Sequence, residues 1–181
     1  MVPCRETCSA ALERPEAFLG IRAARQSDLP EILEIYNHAV VNTSATFDVT
    51  PRSLEAQEAW FLEHVPPHPA IVWEQEEGVL GWASLSPYAS RCAYRFTAEA
   101  SVYVAADGRG AGVGEGLLRE IIRLGAENGL HTIVGLVAEE NTASRALAEK
   151  VGFRRVGTLE EVGYKFDRWL DVVVYQYRYG S

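Results

Sequence analysis

The segment from Glu99 to Gly116 constrains the fold more than any other part of the chain. It reads Glu-Ala-Ser-Val-Tyr-Val-Ala-Ala-Asp-Gly-Arg-Gly-Ala-Gly-Val-Gly-Glu-Gly. Residues 102–104 are adjacent β-branched or aromatic residues, which predicts a strand. From Val113 onwards apolar residues recur at helical spacing, which predicts an amphipathic helix. The glycines between these two elements therefore predict a tight strand-to-helix connection.

This connection has the composition of a phosphate-binding turn. The start of a helix carries unpaired backbone N–H groups and the positive end of the helix dipole, and glycine lets an anion approach them closely. Arg109 would add a full positive charge. A P-loop requires Gly-Lys followed by Ser or Thr, and a dinucleotide-binding fingerprint counted from Gly110 requires a small residue where Glu115 stands. Neither pattern matches, and a tight turn that binds nothing is the alternative.

Composition and charge favour a single globular domain. The chain has 181 residues, of which 48% are hydrophobic and 23% are charged, as is usual for such domains. Its net charge of −8 argues against a general nucleic-acid binder. No apolar run approaches the roughly 20 residues of a membrane helix. The four histidines have no metal-ligand spacing, so we expect no metal site.

Cysteine content favours a reducing compartment. Cys4, Cys8 and Cys92 are an odd number of cysteines, so a disulfide framework is not expected. We therefore expect a cytoplasmic location, free thiols at the N-terminus and a packing role for Cys92.

Hydrophobic periodicity predicts the order β-α-α-β-β-β-α-β-α-β-β, an α/β fold with a mixed sheet and helices on its faces. Residues 1–19 show weak periodicity, so we expect an extension outside the core, followed by one domain over residues 20–181. The continuous apolar run from Thr132 to Val137 is typical of a parallel strand that is covered on both faces. Ligands of open α/β sheets bind beyond the carboxyl ends of such strands, where the glycine connection lies.

Several segments resemble the GNAT superfamily of N-acetyltransferases. Residues Arg109–Gly114, with the pattern Arg-x-x-Gly-x-Gly, resemble its coenzyme A pyrophosphate loop, and Asn141–Phe153 resembles its last motif. The segments Ile35–Ala39, Thr97–Val104 and Gly163–Asp171 resemble, more narrowly, the phosphinothricin and methionine sulfoximine N-acetyltransferases. The resemblance covers nearly everything after residue 20, and three separate segments in the right order make it more specific than the glycine loop alone.

The resemblance implies a GNAT α+β fold, whose mostly antiparallel sheet has a parallel pair at the cofactor cleft. It also implies acetyl-CoA as the acetyl donor, a small amino acid or its analogue as the amine acceptor, and a homodimer. By the family's pattern, a strand backbone would hold the pantetheine and the acetyl carbonyl, and the glycine loop would hold the pyrophosphate. The implied cofactor-binding residues are Val102, Tyr103, Val104, Arg109, Gly110, Ala111, Gly112, Val113, Gly114, Glu115 and Asn141.

Glu99 is the candidate general base. Amines near neutral pH are mostly protonated, so a carboxylate within direct or one-water reach would help to deprotonate one. Glu99 precedes Val102 by three residues and matches the glutamate that the phosphinothricin branch has there, and a surface acid at a strand start is the alternative. Ala148 stands where the family has tyrosine or histidine. Since alanine cannot protonate a departing thiolate, the general acid is left unassigned.

Residues expected to contact the acceptor lie in two loops. Arg91 and Arg95 come just before the Glu99 strand, and an arginine fork suits an amino-acid carboxylate, with a solvated surface as the alternative. Thr46 and Phe47 follow the first helix and are expected to form a pocket wall, although Phe47 would also suit the core.

Some alternatives stay open at the level of sequence. Lys165, Arg168 and Trp169 match the narrower branch, and loop ordering or dimer packing are both compatible with them. Acetylation of a peptide N-terminus or another amine is a second possible activity. The replacement at position 148 also leaves open a non-catalytic acetyl-CoA-binding module, against which the presence of Glu99 argues.

Overall fold

The computed structural model describes residues 20–76 and 78–180. The predicted extension over residues 1–19, which includes Cys4 and Cys8, lies outside this range. The strands are β1 (Ile21–Ala23), β2 (Ala70–Gln75), β3 (Gly78–Pro87), β4 (Thr97–Val104), β5 (Thr132–Ala138), β6 (Arg154–Lys165) and β7 (Arg168–Arg178). The α-helices are α1 (Leu29–Asn42), α2 (Leu54–Glu63), α3 (Val113–Glu127) and α4 (Thr142–Lys150). The predicted order of strands and α-helices is confirmed.

All seven strands form one sheet in the order β1-β2-β3-β4-β5-β7-β6. Neighbouring strands are antiparallel, except β4 and β5, which are parallel. The connection between these two parallel strands contains α3, as expected for a crossover unit. The predicted fold class, a mostly antiparallel sheet with one parallel pair, is therefore confirmed.

The two faces of the sheet bury separate hydrophobic clusters, because side chains alternate along each strand. On one face Leu85 and Ile133 pack with the apolar stripe of α3, which includes Leu117 and Ile121. On the other face Trp82 packs with residues of α1. Complete burial of one large apolar side chain contributes about 1.5–3 kcal/mol, so both helix layers hold the sheet in place. Among the described helices, none combines the length and hydrophobicity needed to cross a bilayer.

The β6–β7 hairpin is longer than the sequence predicts. The apolar pattern of the sequence predicts strands only near Arg154–Leu159 and Val172–Tyr177, but the pairing continues to a turn at Phe166 and Asp167. Both turn residues have positive φ values, 55° and 57°, as a type I′ turn requires. Register shifts interrupt the ladder, so the alternation that marks a strand is lost in the sequence. The extended hairpin reaches the loop between α1 and α2.

Candidate active site

A cleft of about 1350 Å³ opens where β4 and β5 part. The two strands are paired only between Thr97–Glu99 and Thr132–Val134. Beyond that point both Ala100–Val104 and Gly135–Ala138 line the cleft. The opposite edge of β4 remains paired with β3, so one edge of β4 presents main-chain groups to the cleft without a strand partner among the described residues. Such an edge can hydrogen-bond an extended ligand.

The start of α3 forms one end of this cleft. Gly112 is the N-cap, with a φ of 84° and no side-chain cap, and Gly110 has a φ of 76°. A Cβ atom on either residue would meet no protein atom within 4 Å. The left-handed backbone therefore requires glycine, and the space beside it is open to a ligand. Gly114 differs, because its Cβ would lie 3.3 Å from the Leu147 side chain, so it permits close packing of α3 against α4.

Most of the predicted cofactor residues line the same cleft. Ala111 is exposed and does not line it. Asn141 lines it while its Oδ1 accepts a hydrogen bond from Ser144 N at 3.1 Å, which caps α4. The predicted cofactor residues that line the cleft are Val102, Tyr103, Val104, Arg109, Gly110, Gly112, Val113, Gly114, Glu115 and Asn141.

Positive charge surrounds the start of α3 although the whole chain is acidic. Lys150 donates to Glu115 Oε2 at 2.5 Å, and Arg119 donates to Glu115 Oε1 at 2.9 Å. These bonds, first from Lys150 and then from Arg119, lower the pKa of the Glu115 carboxyl. The carboxylate is thus ionised and paired near neutral pH. Since Arg109 and Lys150 also line the cleft, this end can accept an anion.

Glu99 lies at the closed end of the cleft, at the last paired position of β4 and β5. Its side chain is half-buried, and burial raises the pKa of its carboxyl. Within residues 20–76 and 78–180 the carboxylate has no hydrogen-bond or ion-pair partner. An unpartnered carboxylate with a raised pKa is a better proton acceptor than an exposed one.

A hydroxyl network connects the α1–α2 loop to β4. Thr46 Oγ1 and Tyr36 Oη share a hydrogen bond of 3.1 Å, and Tyr36 Oη also donates to Asp48 Oδ2 at 2.5 Å. The Tyr103 hydroxyl of β4 hydrogen-bonds to Thr46, and burial raises the pKa of Tyr103 above the usual value of a tyrosine. The Tyr36 and Tyr103 rings meet edge to face at 5.2 Å. Thr46 is therefore buried between two tyrosines, and these hydrogen bonds connect the α1–α2 loop to β4.

The β6–β7 hairpin holds the same loop from the other side. Lys165 is buried, with 4% of its surface exposed, and its Nζ donates to the carbonyl oxygens of Thr43 at 2.9 Å and Thr46 at 2.7 Å. A Cβ on Gly163 would lie 2.0 Å from the Phe47 ring, so only glycine allows Phe47 this position. The sequence left loop ordering and dimer packing open for Lys165, and these hydrogen bonds show that Lys165 orders the α1–α2 loop. Phe47 both packs on the hairpin and lines the cleft.

Arg91 and Arg95 are not brought to the cleft. Both flank an exposed 3-10 turn over Cys92–Tyr94, and neither lines the cleft. Arg95 instead lies over the Phe96 ring, 4.4 Å from its centre. Cys92 is exposed, so the packing role predicted for it is wrong. This segment has no apolar periodicity from which its orientation could have been predicted.

Arg168 is a cleft residue that was not predicted, although it lies in a segment that the family resemblance includes. Arg168 lines the cleft and pairs with Glu140 at 2.6 Å. Glu140 also hydrogen-bonds to the Ser44 side chain, and these bonds, from Ser44 and then Arg168, lower its pKa. Ala148 is buried and lines the cleft as well. No group of three or more His, Cys, Asp or Glu residues in the described part of the chain is arranged to hold a metal ion.

Comparison with known proteins identifies the family. The profile of the acetyltransferase (GNAT) domain matches residues 21–174. The L-methionine sulfoximine/L-methionine sulfone acetyltransferase of Pseudomonas paraeruginosa is 41% identical over 159 residues, which cover 87% of this chain and 92% of that protein. The phosphinothricin N-acetyltransferase of Streptomyces coelicolor is 37% identical over 165 residues, with coverages of 88% and 96%.

Solved structures agree with this assignment. A GNAT superfamily phosphinothricin acetyltransferase from Sinorhizobium meliloti, crystallised in complex with acetyl-CoA, superposes with a TM-score of 0.83 at 33% identity. The match covers 87% of this chain and 86% of that one. The chain therefore belongs to the GNAT family of acetyltransferases.

Proposed function

We propose that this protein transfers the acetyl group of acetyl-CoA to the amino group of a small amino acid or analogue, of the phosphinothricin or methionine sulfoximine kind. One observation carries the proposal: an open strand edge, a glycine-capped helix start and an unpartnered carboxylate line the same cleft. The names of the relatives with 41% and 37% identity support this choice of acceptor.

Acetyl-CoA would lie along the open edge of β4 and reach the start of α3. Main-chain groups of Val102–Val104 would bind the pantetheine in the way that a neighbouring strand would. The pyrophosphate would meet the first N–H groups of α3, where Gly110 and Gly112 leave open space. Arg109 and Lys150 would add positive charge there. The Nδ2 of Asn141 remains available for a cofactor contact, because its Oδ1 caps α4.

Glu99 would act as the general base. It would take a proton from the acceptor ammonium, directly or through one water, so that the nitrogen lone pair can attack the thioester carbonyl. A backbone N–H of β4 would stabilise the negative charge that develops on that oxygen, and one such donor is typically worth about 3 kcal/mol. Holding the two reactants together can contribute roughly 7–11 kcal/mol. Ala148 has no proton to give, so no residue is assigned as general acid.

The α1–α2 loop would form the acceptor side of the pocket. Thr46 is held by the two tyrosines and Phe47 lines the cleft, which supports a wall of fixed shape. Arg91 and Arg95 remain proposed ligands of an acceptor carboxylate, which they would reach only if the Cys92–Tyr94 turn moved. An acceptor with a carboxylate would then be preferred over a simple amine.

We also propose a homodimer that works in the cytoplasm. Three exposed large apolar side chains of the β6–β7 hairpin do not line the cleft and would suit an interface between subunits. They are Val156, Tyr164 and Trp169. The exposed free thiol of Cys92 suits a reducing compartment. Sedimentation equilibrium tests the dimer, and a monomer at micromolar concentration would contradict it.

A panel of amines tests the activity. The release of free coenzyme A thiol is measured with phosphinothricin, methionine sulfoximine, common amino acids and short peptides as acceptors. We expect the fastest turnover with the amino-acid analogues. Faster turnover with peptides would favour N-terminal acetylation, and tight acetyl-CoA binding without turnover on any amine would indicate a binding module.

A further inference from the structure

His64 contacts Ser86 of β3 and lies outside the residues that line the cleft. It follows α2, and its ring lies 3.9 Å from the Trp60 ring, centre to centre. Its Nδ1 is 2.6 Å from the Trp60 carbonyl oxygen, and its Nε2 is 3.1 Å from Ser86 Oγ. Neither His64 nor Ser86 lines the cleft, and neither residue has a part in the proposed acetyl transfer.

These two contacts determine which nitrogen carries the proton. A carbonyl oxygen can only accept, so Nδ1 must be the protonated nitrogen of the neutral ring. Nε2 is then an acceptor, and the Ser86 hydroxyl donates to it. Burial lowers the pKa of His64; the hydrogen bond to the Trp60 carbonyl and the charge of Glu63 oppose this shift, while His68 and Arg52 add to it. The ring is therefore neutral near pH 7, with its free lone pair directed at Ser86.

Ser86 is the direct cross-strand partner of Glu99 in the β3–β4 ladder. Directly opposite residues of an antiparallel pair have side chains on the same face, with Cβ atoms about 4.5–5.5 Å apart. Glu99 lines the cleft and Ser86 does not. Glu99 thus separates the reaction space from the Ser86–His64 pair. The structure has no direct hydrogen bond between the two side chains, so the Glu99 carboxyl group would reach the Ser86 hydroxyl by rotating its side chain or through one water.

We propose that Ser86 and His64 form a proton relay that returns Glu99 to its ionised form after each turnover. The inference rests on the proposed function, in which Glu99 is the base. An acceptor ammonium loses two protons when it becomes an acetamide. One of them ends on the coenzyme A sulfur as the C–S bond breaks, and the other must leave the site. Bound substrates would cover the cleft side of Glu99, which favours an exit on its other side.

The relay moves one proton by two coupled transfers. The Glu99 carboxyl gives its proton to Ser86 Oγ, directly or through a water, while the Ser86 hydroxyl proton passes to His64 Nε2. A carboxylate, a hydroxyl group and an imidazolium result, so charge and protons balance. The half-exposed ring then releases the proton from Nε2 to solvent. Its lowered pKa favours that release.

Two substitutions break the relay without removing the base. Ser86→Ala deletes the hydroxyl group. His64→Gln retains a donor for the Trp60 carbonyl and an acceptor for Ser86, but the amide cannot hold an extra proton. At low buffer concentration we expect each to lower kcat by about tenfold, less than the 10²–10⁴-fold typical of an acid–base group itself, with KM values unchanged. Imidazole buffer should restore kcat as its concentration rises, since it can take the proton from Glu99.

Two variants are controls. Ser86→Thr keeps a hydroxyl group and should retain kcat. His131→Gln makes the same replacement at an exposed histidine before β5 and should behave as wild type. Undiminished kcat in Ser86→Ala and His64→Gln, or a loss that imidazole does not relieve, would overturn the relay and leave the proposed function standing. Failure of the wild type to acetylate any amine would overturn the proposed function and the relay with it.

Discussion

Replacing Lys165 with methionine should loosen the acceptor side of the site while leaving the cofactor side intact. Methionine keeps an unbranched apolar stem but cannot donate the hydrogen bonds at 2.9 and 2.7 Å to Thr43 and Thr46. The chain has only two lysines, and the other, Lys150, ends α4 and pairs with Glu115 in the first turn of α3. Lys150→Met is therefore a matched substitution at the opposite end of the cleft.

The expected magnitude follows from the two bonds and their burial. Hydrogen bonds from a charged donor contribute about 1.5–3 kcal/mol each, so their loss removes about 3–6 kcal/mol of gross interaction. Burial of the ammonium opposes this, as its lowered pKa shows, and that cost disappears in the variant. We expect the free energy of unfolding to fall by about 1–3 kcal/mol.

Urea unfolding measures the stability, calorimetry measures the Kd of acetyl-CoA, and steady-state kinetics separate the two substrates. For Lys165→Met we expect the acceptor kcat/KM to fall by about 10²-fold, as typical for lost positioning, with the Kd of acetyl-CoA unchanged. Lys150→Met should show the opposite pattern, weakening acetyl-CoA binding alone. An acceptor kcat/KM in Lys165→Met equal to that of the wild type would refute the reasoning.

The remaining predictions concern the base and the cleft walls. Glu99→Gln should lower kcat by about 10²–10⁴-fold with acetyl-CoA affinity nearly unchanged; an unchanged rate at every pH would exclude Glu99 as the base. Because burial raises the pKa of Glu99 and a base must be ionised, wild-type kcat/KM should rise with pH through a value above that of an ordinary glutamate, and no such limb should remain in Glu99→Gln. Gly112→Val should weaken acetyl-CoA binding, since valine is strained at a φ of 84° and its side chain would fill the proposed phosphate space; unaltered affinity in calorimetry would count against this site. Gly163→Ala should displace the Phe47 ring, which its Cβ would approach to 2.0 Å, and so raise KM for the acceptor, whereas an unchanged KM would show that Phe47 does not contact it.

Local patterns were enough to predict the elements that bind the proposed cofactor. The glycine connection and the helix from Val113 depend on backbone conformation and 3.6-residue periodicity, which neighbouring residues impose. The apolar run Thr132–Val137 similarly indicated a strand, and it became the partner of β4. The predicted cover on both faces is wrong at Leu136, which is exposed where β4 and β5 part and the cleft opens. The full length of the β6–β7 hairpin could not be predicted from the sequence. Its irregular register removes the two-residue alternation of apolar and polar side chains that marks a strand.

The acceptor side could not be predicted in the same way. Lys165 and Thr46 are 119 residues apart, and His64 and Ser86 are 22 residues apart. Such contacts depend on the strand register and on how the two helix layers pack against the sheet. No local sequence pattern determines the register or the packing. The side chains of Arg91 and Arg95 also took an orientation that residue type alone does not set.

The amino-acid sequence by itself thus determined the order of elements, the glycine-capped helix start and the family, because each depends on local conformation or on matching segments. Only the tertiary structure decided that one cleft unites the open β4 edge, the helix start and Glu99. It alone also showed that Lys165 orders the loop that forms the acceptor wall. The physical reason is that burial and hydrogen-bond geometry arise when distant segments pack together, after each local preference has been satisfied.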